Sequence, residues 1–342
     1  MVRVGWIAGF MLLIGCNGDG AAKGDSGGGA GDDSGGGGGG SNWRPAGEGY
    51  AYFIDGVAAN SVLVLELTRC IDPEADTAYS GWISQGGANA VALGEIACVS
   101  GEVQFAGEIG VNALELGYDT FDAWASPDGT ATGTALWHGQ VDPALLATVT
   151  ELVVADASTR DGEGSLRSLK SQTEEYIVWA AGVVAETLEV ESAQGQAEAL
   201  ANAIGGTTGD FDADGEVSTI DGAFPLLGDA GYVPLILADV AAVSSAVDPN
   251  DPIKEFANYA YDCVQRAESN ADDAVQSALV GTVCGAESTC DASLNDTIDS
   301  LGNALVGEDL DGSGSIDPLT EGTTDCALYY VAQMMRMSVG TP

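Results

Sequence analysis

Basic side chains are scarce in this chain. Lys and Arg number 10 against 52 Asp and Glu, a formal net charge of −42. A field of that sign repels a phosphate backbone, so nucleic acid is excluded as a partner. It concentrates divalent cations instead, and binding them offsets the self-repulsion of the surface. Histidine is scarcer still, with His138 the single one. It stands in Ala135-Leu-Trp-His-Gly139, between an apolar run and a turn, and reads as a strand-end or surface side chain. One imidazole excludes zinc and haem sites that need two. A Ser-His-Asp triad would have to use His138, and no G-x-S-x-G elbow stands between a strand and a helix. There is no CxxC pair, so thiolate zinc sites lack their usual spacing. The glycine run Gly35 to Gly40 is not a phosphate loop, because no Gly-Lys-Ser/Thr accompanies it and no strand or helix flanks it. Beyond the first residues, no stretch approaches the ~20 apolar residues of a membrane-spanning helix.

What is present points to an exported protein. The chain has 342 residues, 45% of them hydrophobic, which suffices for two domains with buried cores. Met1-Val-Arg3 is a short positive start, and Val4 to Ile14 is an apolar run too short to span a bilayer stably. Leu13-Ile14-Gly15-Cys16 then resembles a bacterial lipobox. In that reading residues 1–16 are a lipoprotein signal peptide and Cys16 carries the lipid. The rival is an ordinary secretory signal with Cys16 incidental. Residues 17–47 follow as a Gly-rich flexible tether. The expected location is the bacterial cell envelope, lipid-anchored, at its periplasmic or extracellular face. Six cysteines remain: Cys70, Cys98, Cys263, Cys284, Cys290 and Cys326. An even number in an exported chain points to disulfides. Cys70 and Cys98 lie alone in the first half and are expected to pair, while the other four allow three connectivities.

The apolar patterning changes along the chain. From residue 48 to 158 the runs are short and alternating, separated by Gly- and Asp-rich turns, as in an antiparallel β-sandwich. Trp82, Phe105, Tyr118, Phe121 and Trp124 are its expected core. Asp142-Pro143 opens a short helical turn. From residue 162 to 340 the spacing becomes three and four. It predicts helices over about Ser165–Leu188, Ser192–Ile204, Tyr232–Val247, Pro252–Leu279 and Ala292–Leu305. The fold class is therefore α+β in two domains, a β-sandwich followed by a helical bundle.

The second half carries the chemistry. Asp210 to Asp221 reads D-F-D-A-D-G-E-V-S-T-I-D, with carboxylates at positions 1, 3, 5 and 12, glycine at 6 and an aliphatic residue at 8, the spacing of an EF-hand-type calcium loop. Alternate residues must point inward to give a hard cation its six to eight oxygens, and glycine permits the sharp turn. Asp210, Asp212 and Asp214 would supply side-chain oxygens. Glu216 would supply its carbonyl, Ser218 a contact through water, and Asp221 the closing carboxylate. A like-patterned loop recurs from Asp309, again after a helix end: Ala199-Leu-Ala-Asn-Ala-Ile-Gly205 precedes the first and Ser300-Leu-Gly-Asn-Ala-Leu-Val-Gly307 the second. Asp309, Asp311, Ser313 and Gly314 keep the spacing, with Ser315 a further candidate ligand, and the rival reading is a decayed copy that no longer binds. Position 12 is Thr320, so the loop reads as one residue wider, closed by Glu321 or by Asp317. The two loops are expected to pair across Val217 and Ile316.

The segments Tyr79-Ser-Gly-Trp-Ile, Ala92-Leu-Gly-Glu-Ile, Gly101-Glu-Val-Gln-Phe, Tyr118-Asp-Thr-Phe-Asp and Gly162-Glu-Gly-Ser-Leu together resemble the extracytoplasmic β-sandwich of anti-sigma-K-factor-like proteins. The helical repeat with its D-x-D-x-D-G-x-V loop resembles the EF-hand-bearing region that follows such a sandwich in exported bacterial proteins. Anti-sigma factors also carry a cytoplasmic helical domain and a transmembrane helix. Both are missing from this pattern, so sigma-factor binding is not implied.

The functional expectation is a non-enzymatic, lipid-anchored binding or scaffold protein that holds Ca²⁺ structurally. Its expected partners are the membrane, calcium ions and another envelope protein. The alternatives are a calcium-dependent adhesion or docking module, since Ser218-Thr219 and Asp221 also resemble a dockerin segment, and a carboxylate-based hydrolase. The first is weakened by loops about a hundred residues apart. The second draws on acids so numerous that any pair is weak evidence.

Overall fold

The computed structural model describes residues 48–54, 61–68, 70, 78–126, 135–186, 188–249, 251–317 and 320–341. Cys16 and the segments read as signal peptide and tether lie outside the described residues. Among the described residues the architecture is α+β, with eight antiparallel strands and seven helices, all in one compact unit. The strands are β1 (Glu48–Ile54), β2 (Val62–Thr68), β3 (Ala78–Gln85), β4 (Ala88–Ile96), β5 (Glu102–Glu108), β6 (Thr120–Ser126), β7 (Trp137–Gln140) and β8 (Met337–Gly340). The helices are α1 (Pro143–Val153), α2 (Ser165–Ala185), α3 (Val190–Gly205), α4 (Tyr232–Ala246), α5 (Pro252–Gly281), α6 (Glu287–Val306) and α7 (Thr324–Met334).

The strands join in one sheet, in the order β4-β3-β6-β7-β8-β1-β2-β5. The sequence leads one to expect two facing sheets. The last strand explains the difference, since β8 lies between β7 and β1 and stitches the β4-β3-β6-β7 set to the β1-β2-β5 set. The sheet is nonetheless folded over. Eight strands laid flat would put the edges about 34 Å apart. Edge strands β4 and β5 are joined by residues 97–101 alone, which reach about 20 Å at full extension. The sheet must therefore curl to bring those edges together. Cys70, which follows β2, bonds Cys98 within that short link, and Cys70 N–H donates to Gly101 O at 3.1 Å.

Strand alternation separates the two faces. Leu63, Leu65 and Leu67 of β2 are buried with Phe53, Tyr79, Ile83, Phe121, Trp137 and Met337. Of the expected aromatic core, Tyr118 and Phe121 are buried, while Trp82, Phe105 and Trp124 are only half-buried. Trp82 and Trp124 occupy the alternate positions of β3 and β6, which period-two geometry turns away from the main core, whereas Phe105 pairs with Leu65 on the core side and is half-buried on the edge strand β5.

Helix ends follow local chemistry. Asp142 caps α1, its Oδ1 accepting from the Ala144 N–H at 2.8 Å and the Leu145 N–H at 3.4 Å, with Pro143 at the first helical position. Asp251 and Pro252 start α5 in the same way. Asp142→Ala should therefore cost about 1 kcal/mol in chemical denaturation, the usual worth of an N-cap.

Helix α5 is the spine of the helical part, packed against α3, α4, α6 and α7. Its buried residues Ile253, Ala257, Ala260, Val264, Ala267, Ala271, Ala274 and Ala278 alternate spacings of four and three, a narrow seam of small side chains that lets neighbouring axes approach. At its end a Cβ on Gly281 would lie 2.8 Å from Ala197 Cβ of α3 and 2.9 Å from Ser293 Oγ of α6. Of the three open connectivities, the cysteines adopt Cys263–Cys326, tying α5 to α7, and Cys284–Cys290, closing the turn before α6. No described helix is long and apolar enough to cross a membrane.

Candidate metal centre

Helix α3 ends at Gly206, whose φ of 67° takes the left-handed cap that favours glycine. The chain then turns into the first loop. Asn202, buried on the last turn of α3, ties the loop's two ends together. Its Nδ2 donates to Gly209 O at 2.9 Å and Ser218 O at 3.1 Å, and its Oδ1 accepts from Gly209 N–H at 2.8 Å. Within the loop, side-chain oxygens of the aspartates hold the backbone. Asp212 Oδ1 accepts from Asp214 N–H, Asp210 Oδ2 from Gly215 N–H, and Asp214 Oδ1 from Glu216 N–H. Gly215, at the sixth position of the motif, has φ of 94°, the conformation glycine is needed for.

The carboxylate beneath this loop comes from α3. Glu198 is fully buried. Its Oε2 accepts from the Phe211 N–H at 2.6 Å and the Asp212 N–H at 3.1 Å, and its Oε1 accepts from the Ser218 N–H at 2.6 Å. Carboxylate oxygens of Glu198, Asp210 and Asp212 lie within 4.8 Å of one another. Asp221, the expected closing ligand, is exposed and stands outside this group. Glu198 was not legible as a site residue, because it lies before the motif, inside a helix whose period it fits.

The second loop repeats the arrangement from the other side. Glu321 is 4% exposed. Its Oε1 accepts from the Leu310 N–H at 2.8 Å and the Asp311 N–H at 3.1 Å, and its Oε2 accepts from the Asp317 N–H at 2.7 Å. These donors occupy the same loop places as Phe211, Asp212 and Ser218. Oxygens of Asp309, Asp311 and Glu321 again fall within 4.8 Å. Of the two closing residues the sequence allows, Glu321 joins the group and the exposed Asp317 contributes its backbone. Ser313 N–H donates to Asp309 Oδ1 and Asp311 Oδ1, and Ser313 Oγ donates to Ser315 O at 2.9 Å. One loop thus takes its buried glutamate from the helix before it and the other from the residue after it.

No family model, curated protein or solved structure matches the chain. What the two centres can do is therefore judged from their chemistry. A carboxylate offers about four acceptor sites. Three on each glutamate are taken by N–H groups, which leaves a lone pair on the singly bonded oxygen for a cation. The donor set is all oxygen, with neither cysteine nor histidine in either group. The carboxyl of Asp212 is held above the usual range, first by desolvation and then by the charges of Asp214, Glu198 and Asp210. Such crowding of like charge is relieved by a bound cation. The carboxyl of Asp311 is held below the usual range by the Ser313 backbone N–H and hydroxyl. Both groups fit a hard metal ion.

The loops do not pair as expected. Val217 is 47% and Ile316 36% exposed, and among the described residues no main-chain hydrogen bond joins them. Each loop is instead fastened to α5 or its end: Thr282 Oγ1 donates to Phe211 O, and Arg266 Nε donates to Gly322 O at 2.7 Å. A long helix between two loops replaces the direct ladder that short EF-hand pairs use.

His138 lies on β7 with Nδ1 2.8 Å from Asp122 Oδ1 on the neighbouring strand, and its side chain is 43% exposed. Among the described residues no hydroxyl hydrogen-bonds to its other ring nitrogen.

Proposed function

We propose that this is a non-enzymatic, lipid-anchored envelope protein whose two acidic loops each hold a structural calcium ion. The observation that carries the reading is the pair of buried glutamates, Glu198 and Glu321, each making the same three backbone hydrogen bonds beside two aspartates. An isolated acidic turn in a chain of net charge −42 would have no reason to bury a carboxylate twice in the same relation to its loop. The all-oxygen donors suit calcium, which accepts six to eight ligands at irregular geometry, better than zinc, which favours nitrogen and sulfur. Disulfides fit an extracytoplasmic setting. Calcium there is plentiful, so loops with Kd of roughly 10⁻⁴–10⁻³ M would be filled. The cation would neutralise the crowded carboxylates and fix the ends of α3 and α6.

The test is thermal unfolding of the protein in calcium and in chelator. At a free calcium 100 times Kd, each site should contribute about 2.7 kcal/mol, read as a melting temperature that rises with calcium and returns on chelation. An unchanged melting temperature would remove the reading.

A calcium-dependent docking module is the second reading. It is favoured by apolar side chains left exposed on both loops, Phe211 and Val217 on one and Leu310 and Ile316 on the other. Capture from envelope extract with and without chelator separates the two. A partner lost on chelation supports docking, and none in either condition leaves the structural role.

A further inference from the structure

The outward face of β8, β1, β2 and β5 carries a cavity of 760 Å³, built from different chemistry than either loop. Its floor is a grid set by strand register. Tyr50 of β1, Glu66 of β2 and Gln104 of β5 stand in one row, and Glu48, Thr68 and Glu102 in the next. One wall is Arg336, the residue just before β8.

Arg336 is the unusual group. Its guanidinium carbon sits 3.7 Å from the Tyr50 ring centroid and 5.4 Å from that of Tyr52. In a chain with 52 acidic residues, no carboxylate among the described residues forms an ion pair with it. Its Nε is buried and has no hydrogen-bond partner. A buried donor left unmet is costly, and a guanidinium is donor-only. Glu66 is oriented by the hydroxyl of Tyr52, which donates to its Oε1 at 3.2 Å. Burial, and then the charge of Glu66, push that hydroxyl up to about 12, so it stays a donor throughout the physiological range.

The ligand must suit both kinds of group. An anion taken by Arg336 would face Glu48, Glu66 and Glu102. A cation taken by those carboxylates would leave the guanidinium unmet. A hydroxyl accepts from N–H and donates to a carboxylate with the same oxygen. We infer that this cavity binds a neutral polyhydroxylated ligand, a mono- or disaccharide, whose hydroxyls bridge Arg336 to the glutamates. The volume falls within the 300–1,000 Å³ common for small-ligand sites. The guanidinium covers the Tyr50 ring, so recognition is by hydrogen bonds across the grid rather than by stacking.

The test is calorimetric titration of the full chain in calcium with maltose, cellobiose and chitobiose, alongside free arginine and acetate. At least one disaccharide should bind. Arg336→Lys, which keeps the charge but not the fork, and Glu102→Gln, at an exposed position, should each weaken it about tenfold, as loss of a hydrogen bond to a charged group does. Glu102→Gln should leave the melting temperature unchanged, which separates loss of binding from loss of fold. Binding by none of the three sugars, equal binding by both variants, or binding of arginine or acetate in their place would overturn the inference.

Discussion

Glu198→Gln should reduce the protein from two bound calcium ions to one and destabilise it even when no calcium is present. The amide keeps the size of the side chain but turns an NH₂ toward backbone N–H groups that now donate to a carboxylate. Phe211 N–H, Asp212 N–H and Ser218 N–H share the two oxygens of Glu198, so at least one would meet a donor. Loss of a charge-assisted hydrogen bond at a fully buried site should cost about 3 kcal/mol. That part of the loss persists in chelator, because the bonds exist without an ion. A second part appears only in calcium. Asp221→Ala makes the contrast, since Asp221 is exposed and outside the ligand group. It should leave stoichiometry at two and stability within about 0.5 kcal/mol. If Asp221→Ala abolished binding at this loop while Glu198→Gln did not, the motif read from sequence alone would be the better guide.

The second large effect concerns the cross-link between α5 and α7. Replacing Cys263 and Cys326 together by alanine should cost about 4 kcal/mol on the loop-entropy account, because the bond closes 63 residues of chain. That closed segment contains all of α6 and the second loop. Cys284 and Cys290 are six residues apart, and their replacement should cost about 2 kcal/mol by the same relation. Denaturant midpoints of the two double variants give the comparison. Equal losses, or a larger loss for the short bridge, would show that the bridges act through local packing instead of chain entropy. Calcium affinity at Glu321 should also fall in the first variant, because α7 begins three residues after that glutamate.

Much of the helical part could be read before the structure, because its signals are local. The three-and-four spacing marked α2 through α6 to within a few residues at most of their ends, and Asp251-Pro252 opened α5 where capping chemistry places it. The short alternating runs between Gly-rich turns marked β1 to β5 and the start of β6, whereas β7 carries no such signal. Long-range pairing was not legible. Met337 to Gly340 is too short and too far from β1 and β7 to be recognised as the strand between them, and Thr324 to Met334 has buried residues on nearly every side, which hides helical periodicity. The aromatic core was misjudged for a related reason. Trp82 and Trp124 look like core by size, but the parity of each strand decides which face they take.

The metal centres divide in the same way. Asp210, Asp212, Asp309 and Asp311 follow from spacing, which is local. Glu321 was one of two candidates because the loop is one residue wide of the pattern. Glu198 could not have been found by any loop template, since its place depends on how α3 packs over the loop it leads into. A mid-helix glutamate twelve residues before an aspartate motif has no mark of its own. In retrospect one signal points to it. Its neighbours Ala197, Ala199, Leu200 and Ala201 are all small or apolar and all buried, so the charge has no solvent to face and must have internal partners.

The most direct test is a calcium titration of the intact chain by isothermal calorimetry, compared with Glu198→Gln, with Glu321→Gln and with the Asp210→Ala, Asp212→Ala double variant. Two ions per chain, falling to one in either glutamate variant and in the double variant, is the predicted result. Heat from the intact chain no greater than that from the double variant would contradict the calcium assignment of the first loop.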